Sequence, residues 1–280
     1  MRRFLMRLFF CMMSVSVPVD FYANTCSLNI PCEVKFPLDE KVLDSDNKTK
    51  VSDIYKDIFA LSKEILIKVS YIDTDEQFFF KESWINRIRA KEGSKDFEYT
   101  FKKRYSITDE KIDEAVERAK ADGIFGNKDF SFEIDWSFAR MTLDCKFERD
   151  VSNRGFGSLE FPPFFDVIKT IKRIMPNQEM NEKEEKWGDK ILGQAKLIGP
   201  VLIRRYKGKF CGKKITFEVW PIENQRTKEI CYIAELSFDS ESVDEAKEDR
   251  KMIMEKLSEM KVLKQEGEFK TNLIFEAYKK

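Results

Sequence analysis

The chain has 280 residues, 42% of them apolar with 25 Phe, and its charges balance at 50 Lys and Arg against 50 Asp and Glu. This length and apolar content exclude general disorder, and the balance argues against nucleic-acid binding through bulk positive charge. The sequence has no histidine, which excludes Ser-His-Asp and Cys-His catalysis and His-ligated zinc. The remaining carboxylates are better suited to hard cations such as Mg²⁺ or Mn²⁺.

The first part of the chain, residues 1–23, has the pattern of a secretory signal peptide. Three arginines lie among the first seven residues, residues 8–19 form an apolar stretch, and Ala23 is an acceptable cleavage position. The apolar stretch of about 12 residues is too short for an ordinary transmembrane helix. We therefore expect a periplasmic or secreted protein. Phe21 is unfavourable two residues before Ala23, which leaves open an anchor that is not cleaved.

Export would permit disulfides among the cysteines that remain after residue 23. Cys26 with Cys32, and Cys211 with Cys231, are the pairs that sequence separation favours. None of the cysteines has Cys-x-x-Cys spacing, so a redox or zinc function is not indicated.

Residues 64–106 contain three strand-like runs with cations at alternate positions. Arg87 and Arg89 share one face of the second run, and Lys102 shares a face of the third with Thr100, because side chains alternate along a strand. Antiparallel pairing would bring the three cations onto one surface, at a cost unless a polyanion or several carboxylates lie opposite. A phosphate chain is the natural partner, since guanidinium groups bind phosphate oxygens in a bidentate fork.

The middle of the chain predicts further elements. Ser106, with Asp109 three residues later, predicts the start of a helix, and residues 130–136 alternate as a strand that residues 140–149 could join as a hairpin. A helix is expected over 164–175, followed by a charged exposed loop or solvated helix over 177–190.

The C-terminal part begins with a strand over 200–207 that has a basic end. Glu218 and Glu235 each lie on one face of a later alternating strand, and a helix is expected over 242–262.

Four short motifs, in this order, resemble the signature of the CYTH superfamily, the triphosphate tunnel metalloenzymes. The superfamily includes class IV adenylyl cyclases, thiamine triphosphatases and inorganic tripolyphosphatases. The motifs are Glu33-Val34-Lys35, Tyr71-Ile72-Asp73-Thr74, Arg87-Ile88-Arg89 and Thr100-Phe101-Lys102. Two positions depart from the pattern, because Pro31 stands where the family has its first glutamate and Ser237 where it often has a second late carboxylate.

The resemblance implies an α+β fold: a closed or nearly closed antiparallel β-barrel (a tunnel) of about eight strands, with a polar interior and helices packed outside. The barrel domain would comprise residues 24–280. The resemblance to the family covers roughly residues 33–104 and 198–257. The middle segment, residues 106–196, is therefore either an insertion or holds barrel strands that the motifs do not align.

The resemblance also implies a site and two alternative functions. Lys35, Arg87, Arg89, Lys102 and Arg205 would bind phosphates, and Glu33, Glu218 and Glu235 would hold Mg²⁺ or Mn²⁺, which would activate a water. The first function is an exported, metal-dependent hydrolase of an inorganic or organic triphosphate. The alternative is a non-catalytic polyphosphate-binding or scaffold protein, because Pro31 and Ser237 would weaken metal binding. Neither involves nucleic acid, nor a membrane beyond the signal segment.

Overall fold

A computed structural model describes residues 29–265 and 270–279, so the predicted signal segment lies outside the described residues. Nine strands are found in this part of the chain: β1 (Cys32–Leu38), β2 (Ile65–Asp73), β3 (Trp84–Lys91), β4 (Asp96–Ile107), β5 (Ser131–Trp136), β6 (Met141–Ser152), β7 (Lys196–Phe210), β8 (Lys213–Glu223) and β9 (Ile230–Ser240). The helices are α1 (Asp53–Ile58), α2 (Phe78–Lys81), α3 (Ile112–Ala121), α4 (Phe164–Ile174), α5 (Asn177–Met180), α6 (Trp187–Leu192), α7 (Val243–Glu259) and α8 (Lys270–Ala277).

The strands form one closed barrel in the order β1-β5-β6-β4-β3-β2-β7-β8-β9. The predicted barrel with helices outside is confirmed, with nine strands instead of about eight. One neighbouring pair, β1 with β5, is parallel, and the others are antiparallel. The β5–β6 hairpin lies between β1 and β4, so the middle segment supplies two of the barrel strands.

The barrel is charged inside and apolar outside, as the alternation predicted. In β1, Cys32, Val34 and Phe36 are buried and point outward into the main hydrophobic core, whereas Glu33 and Lys35 alternate with them and line the interior. The outward residues are buried because helices cover them, and α7 contributes Ala246, Ile253 and Leu257 to that layer. Burial of this outer layer supplies the hydrophobic stabilisation that a polar interior cannot.

The predicted helix over 164–175 is confirmed as α4, and the helix over 242–262 as the shorter α7. Ser242 caps α7, where its Oγ accepts a hydrogen bond from the Glu245 N–H at 3.2 Å.

One local prediction was wrong and a second was incomplete. The third helix begins at Ile112, not at Ser106, because β4 continues to Ile107 to pair with β6. Residues 177–190 are mostly exposed or half-buried and contain α5 and the start of α6, in agreement with the solvated-helix alternative. Among their charged residues Glu179 is the exception, because it is fully buried and its Oε1 accepts a hydrogen bond from Asn86 Nδ2 at 2.6 Å. The burial of Glu179 could not be predicted from the charged sequence, because it depends on the contact with Asn86.

The cysteines of the described residues are unpaired thiols. Cys211 lies in the turn before β8, whereas Cys231 pairs with Ile222 near the other end of that strand, so the predicted bond between them is absent. The predicted partner of Cys32, Cys26, lies outside the described residues.

A second, smaller hydrophobic cluster fills one end of the barrel interior. Inward apolar residues of β2, β7 and β8 pack against Ile274 and Phe275 of α8, and the Phe275 ring lies 5.9 Å from that of Tyr71. Helix α8 therefore closes this end of the tunnel, a feature that the sequence analysis did not predict. None of the helices over 29–265 and 270–279 is long and apolar enough to cross a bilayer.

Candidate functional site

A cavity of about 240 Å³ lies inside the barrel, next to the end that α8 closes. Its lining includes all eight residues that the sequence analysis placed in a phosphate and metal site: Glu33, Lys35, Arg87, Arg89, Lys102, Arg205, Glu218 and Glu235. The predicted phosphate-binding side chains therefore converge, as their alternate spacing required.

Strand register explains the convergence. Arg87 is opposite Thr100, Arg89 is opposite Glu98, and Lys102 lies two positions beyond Thr100 on the same face of β4. Arg205 of β7 is opposite Glu218, which is in turn opposite Glu235 of β9. Because side chains two positions apart share a face, all these side chains point into the interior.

At β1, Lys35 forms ion pairs with two carboxylates. Its Nζ lies 2.5 Å from Asp135 Oδ2 and 2.8 Å from Glu33 Oε2. Burial disfavours charge on Lys35, but these carboxylates outweigh it and raise its pKa well above the usual range. Burial likewise acts to raise the pKa of Glu33, and Lys35 overcomes it and lowers that pKa to about 2.

The most buried charges of the site lie between β4 and β6. Lys102 Nζ is 2.5 Å from Asp144 Oδ2, and Arg104 Nε is 3.3 Å from Asp144 Oδ1. Asp144 has no exposed surface. Burial is the main effect that lowers the pKa of Lys102, and the neighbouring cations Arg104 and Lys35 lower it further. Together they outweigh the attraction of Asp144, so the pKa falls to about 8. Lys102 is thus a cation that is held at an energetic cost.

The two arginines of β3 share acidic neighbours at the rim. Arg89 Nη1 lies 2.7 Å from Glu98 Oε1, whereas Arg87 Nη2 is 3.9 Å from Glu98 and 4.0 Å from Glu148. Burial and the nearby Arg89 lower the pKa of Arg87 to about 10. Arg87 therefore has only distant carboxylates to compensate its charge, and an anion in the cavity would stabilise its charged form.

Near the closed end, Glu218 makes several contacts. Its Oε1 lies 2.7 Å from Arg205, and its Oε2 accepts from Trp220 Nε1 at 2.9 Å. Lys270 Nζ, at the start of α8, lies 3.2 Å from Glu218 and 2.6 Å from Glu235. Burial acts to raise the pKa of Glu218, but Lys270 and Arg205 lower it below the usual range.

The three carboxylates predicted to hold a metal are not gathered around one point. Glu33 lies four residues along β1 from Pro37, the partner of Glu235, which is a separation of about 13 Å along the strand. Within the described residues, no group of three or more Cys, Asp or Glu side chains could hold a metal ion. Since Lys270 already bridges Glu218 and Glu235, the residues present do not fit the predicted three-carboxylate Mg²⁺ or Mn²⁺ site.

Several lining residues were not predicted. Arg104 lies two positions after Lys102, so continued alternation along β4 would have indicated it, and the same holds for Asp135 in β5. Lys146, and Asp144 that pairs with the lining cations Lys102 and Arg104, could have been found from the alternation of β6 once its pairing with β4 was known. Lys270 had no sequence signal, because it reaches the site from the helix that closes the end of the barrel and is not part of a strand.

The charges that line the cavity are unequal in number. Among the described lining residues, nine are Lys or Arg and six are Asp or Glu. Asp144 and Glu98, which pair with the lining cations Lys102, Arg104 and Arg89, reduce the excess to one positive charge. Because the cations come from several strands and outnumber the carboxylates, the cavity favours an anionic ligand that can contact several of them at once.

Comparison of the sequence with protein-family models gave no match, and comparison with curated proteins gave none. Solved structures are similar. HpAC1 of Hippeastrum, proposed as an adenylyl cyclase and found to have a dominant triphosphatase activity, is 12% identical with a TM-score of 0.50, over 88% of this chain and 95% of that one. A protein of Bacillus halodurans proposed as an adenylate cyclase is 13% identical with a TM-score of 0.46, over 87% and 96%. The likeness to HpAC1 shows that the chain shares the fold of that protein, in agreement with the barrel that the motifs predicted.

Proposed function

We propose that this protein binds a triphosphate-containing or polyphosphate anion inside its barrel. The observation that carries the proposal is the convergence of Lys35, Arg87, Lys102 and Arg205, from four separate strands, on one interior cavity with excess positive charge. The fold shared with HpAC1 agrees with it.

The chemistry of the lining favours phosphate over other anions. Arginine presents a planar fork that matches two phosphate oxygens, and charge-assisted hydrogen bonds are about twice as strong as neutral ones. Arg87 and Lys102 are both destabilised as cations by burial. A ligand that supplies negative charge beside them would remove this cost.

The size of the cavity limits which anions can fit inside it. Its volume of about 240 Å³ is below the roughly 300–1,000 Å³ typical of pockets for drug-sized molecules. This volume suits a compact phosphate chain better than a nucleotide enclosed together with its base. Inorganic tripolyphosphate is therefore the first ligand to test.

Calorimetric titration with tripolyphosphate in EDTA at low salt tests the proposal, with a matched pair of variants on β7. Arg205 points into the cavity and pairs with Glu218 at 2.7 Å, whereas its neighbour Arg204 points outward and pairs with Glu64 at the same distance. We expect Arg205→Ala to weaken binding by about 1.5–3 kcal/mol, roughly ten- to a hundredfold. Arg204→Ala should change affinity by less than about threefold. Equal effects of the two substitutions would contradict an interior site.

Metal-dependent hydrolysis of a triphosphate with Mg²⁺ or Mn²⁺ is the second candidate. Its support is the dominant triphosphatase activity of HpAC1. Hydrolysis requires Glu218 and Glu235 to exchange Lys270, which bridges them in this structure, for the metal ion. Purified protein would release phosphate from tripolyphosphate when Mg²⁺ or Mn²⁺ is present, EDTA would stop the release, and Glu235→Ala would abolish it. If the protein binds a panel of triphosphates but releases phosphate from none of them, only the binding function is supported.

Export is part of the same proposal and is supported by the sequence pattern of residues 1–23. Mature protein would begin near Asn24 and would be found outside the cytoplasm, where ATP is scarce. N-terminal sequencing after cell fractionation tests this. Full-length protein in the cytoplasmic fraction would contradict export and would make a cyclase activity worth measuring.

A further inference from the structure

The C-terminal helix α8 places one charged side chain in the tunnel. Lys270 is the first residue of the helix that the structure describes, and Lys270 Nζ lies 2.6 Å from Glu235 Oε1 and 3.2 Å from Glu218 Oε2. The same ammonium lies 4.6 Å from the centre of the Trp220 ring. The side chain therefore contacts two carboxylates and an aromatic face within the barrel interior.

At the position of this ammonium, a cation stabilises two ionised carboxylates. Glu218 and Glu235 are direct neighbours across β8 and β9, so their carboxylates would repel each other if nothing positive lay between them. Carboxylate pairs of this kind, completed by waters or phosphate oxygens, bind Mg²⁺ or Mn²⁺ in proteins. Here Arg205 covers one oxygen of Glu218, and Lys270 lies between the other oxygen and Glu235.

Helix α8 is held in place independently of this charge. Ile274 and Phe275 are buried in the small core at the closed end of the barrel, and the Phe275 ring packs 5.1 Å from that of Phe80. Because these apolar contacts fix the helix, the packing of α8 places Lys270 beside the two carboxylates.

We propose that Lys270 occupies the place of a divalent cation between Glu218 and Glu235. The tunnel then binds its phosphate chain without a metal ion at this carboxylate pair, and loss of the ammonium opens a divalent-cation site there. The part that concerns phosphate rests on the proposed function, whereas the part that concerns the cation site does not.

Titration with Mn²⁺ alone, followed by calorimetry or by the Mn²⁺ electron paramagnetic resonance signal, tests the cation site without any phosphate. Lys270→Met removes the charge and keeps an aliphatic stem against Trp220. We expect this variant to bind one Mn²⁺ at least about tenfold more tightly than the wild type. Adding Glu235→Gln should remove the gained affinity. Lys279→Met is the matched control, because Lys279 is an exposed lysine of the same C-terminal segment that pairs with Glu276.

Two results would overturn the proposal: wild-type protein that binds Mn²⁺ at a site lost in Glu235→Gln, or a folded Lys270→Met variant with no gain in Mn²⁺ affinity. If thermal unfolding shows that the methionine variant does not fold, the wild-type titration decides. Absence of a Glu235-dependent Mn²⁺ site then supports the proposal, and its presence refutes it. Tripolyphosphate titration of the wild type in EDTA is a separate measurement, so failure of phosphate binding is distinguishable from failure of the lysine substitution.

Discussion

At the scale of single residues, Lys102 makes the site sensitive to pH. Its pKa of about 8 is low because burial and the cations Arg104 and Lys35 outweigh Asp144. A bound phosphate chain would favour the charged form, so binding is coupled to uptake of a proton wherever Lys102 is partly neutral. We expect tripolyphosphate affinity to be insensitive to Lys102 below about pH 7 and to fall as pH rises through about 8, by up to about tenfold per unit.

Lys102→Arg tests this coupling, because arginine stays charged over the whole range. Calorimetry at pH 7, 8 and 9 should show affinity that falls for the wild type and falls less for the variant. Lys103→Arg is the control, since Lys103 belongs to the same strand but contacts Glu182 and Asp122 outside the barrel. The same decline in wild type and Lys102→Arg would mean that another group titrates.

The sequence predicted the charged residues of the site where two kinds of signal coincided. Arg87, Arg89 and Lys102 were identified because they alternate within strands and lie in motifs that occur in family order. Asp144, which has no motif, becomes visible only through its register with Arg104. Lys270 could not be predicted at all, because the contact of a helix residue with Glu235 depends on how the helix packs.

At the scale of elements, the corner between β2 and α2 depends on one buried carboxyl group. Asp73 is 1% exposed, and its two oxygens accept hydrogen bonds from three backbone N–H groups, those of Thr74, Phe79 and Phe80, at 2.7–3.1 Å. Without this acceptor the N–H groups would be left unpaired in a buried corner.

We expect Asp73→Ala to lower the free energy of unfolding by about 1–3 kcal/mol, measured by urea unfolding at pH 7. This pH lies above the pKa of Asp73, which burial raises to about 6 against the opposing backbone hydrogen bonds. Asp75→Ala is the control, because Asp75 is largely exposed and forms a surface pair with Lys196. A loss of stability no larger than that of the control would contradict the role of the corner.

Elements were predicted best where periodicity was strong and local. The strands that carry the motifs, α4 and α7 were all anticipated. The start of α3 was misplaced because the local capping signal at Ser106 competes with twelve residues of pairing between β4 and β6, and the long-range pairing prevails. The parallel contact of β1 with β5 joins residues about a hundred positions apart, which periodicity cannot reveal.

At the scale of the whole molecule, the barrel separates the residues that stabilise the fold from those that line the binding cavity. Apolar side chains on the outer faces of the strands supply the main core. Apart from the small apolar cluster at the end that α8 closes, the inner faces carry charged groups that stabilise little by themselves. The tunnel charges can therefore be arranged for a ligand, while the helices outside hold the barrel closed.

Ligand binding should raise the stability of the whole barrel, because its cavity exists only in the folded state. Tripolyphosphate at a hundred times its dissociation constant would add about 2.7 kcal/mol, which corresponds to a rise in Tm of roughly 5–10 °C. Differential scanning calorimetry in EDTA tests this. The Arg205→Ala variant should need a higher tripolyphosphate concentration than the wild type for the same rise in Tm. A Tm that tripolyphosphate leaves unchanged would indicate that the folded barrel does not bind it.

The most direct test of the central claim is a crystal structure of the protein grown with tripolyphosphate and without divalent cations. We expect phosphate oxygens inside the barrel at about 2.7–2.9 Å from the nitrogens of Arg87 and Lys102, with Lys270 still between Glu218 and Glu235. An interior that contains no phosphate, with the anion bound only to lysines on the outer surface, would contradict the assignment of the barrel as a phosphate-binding tunnel.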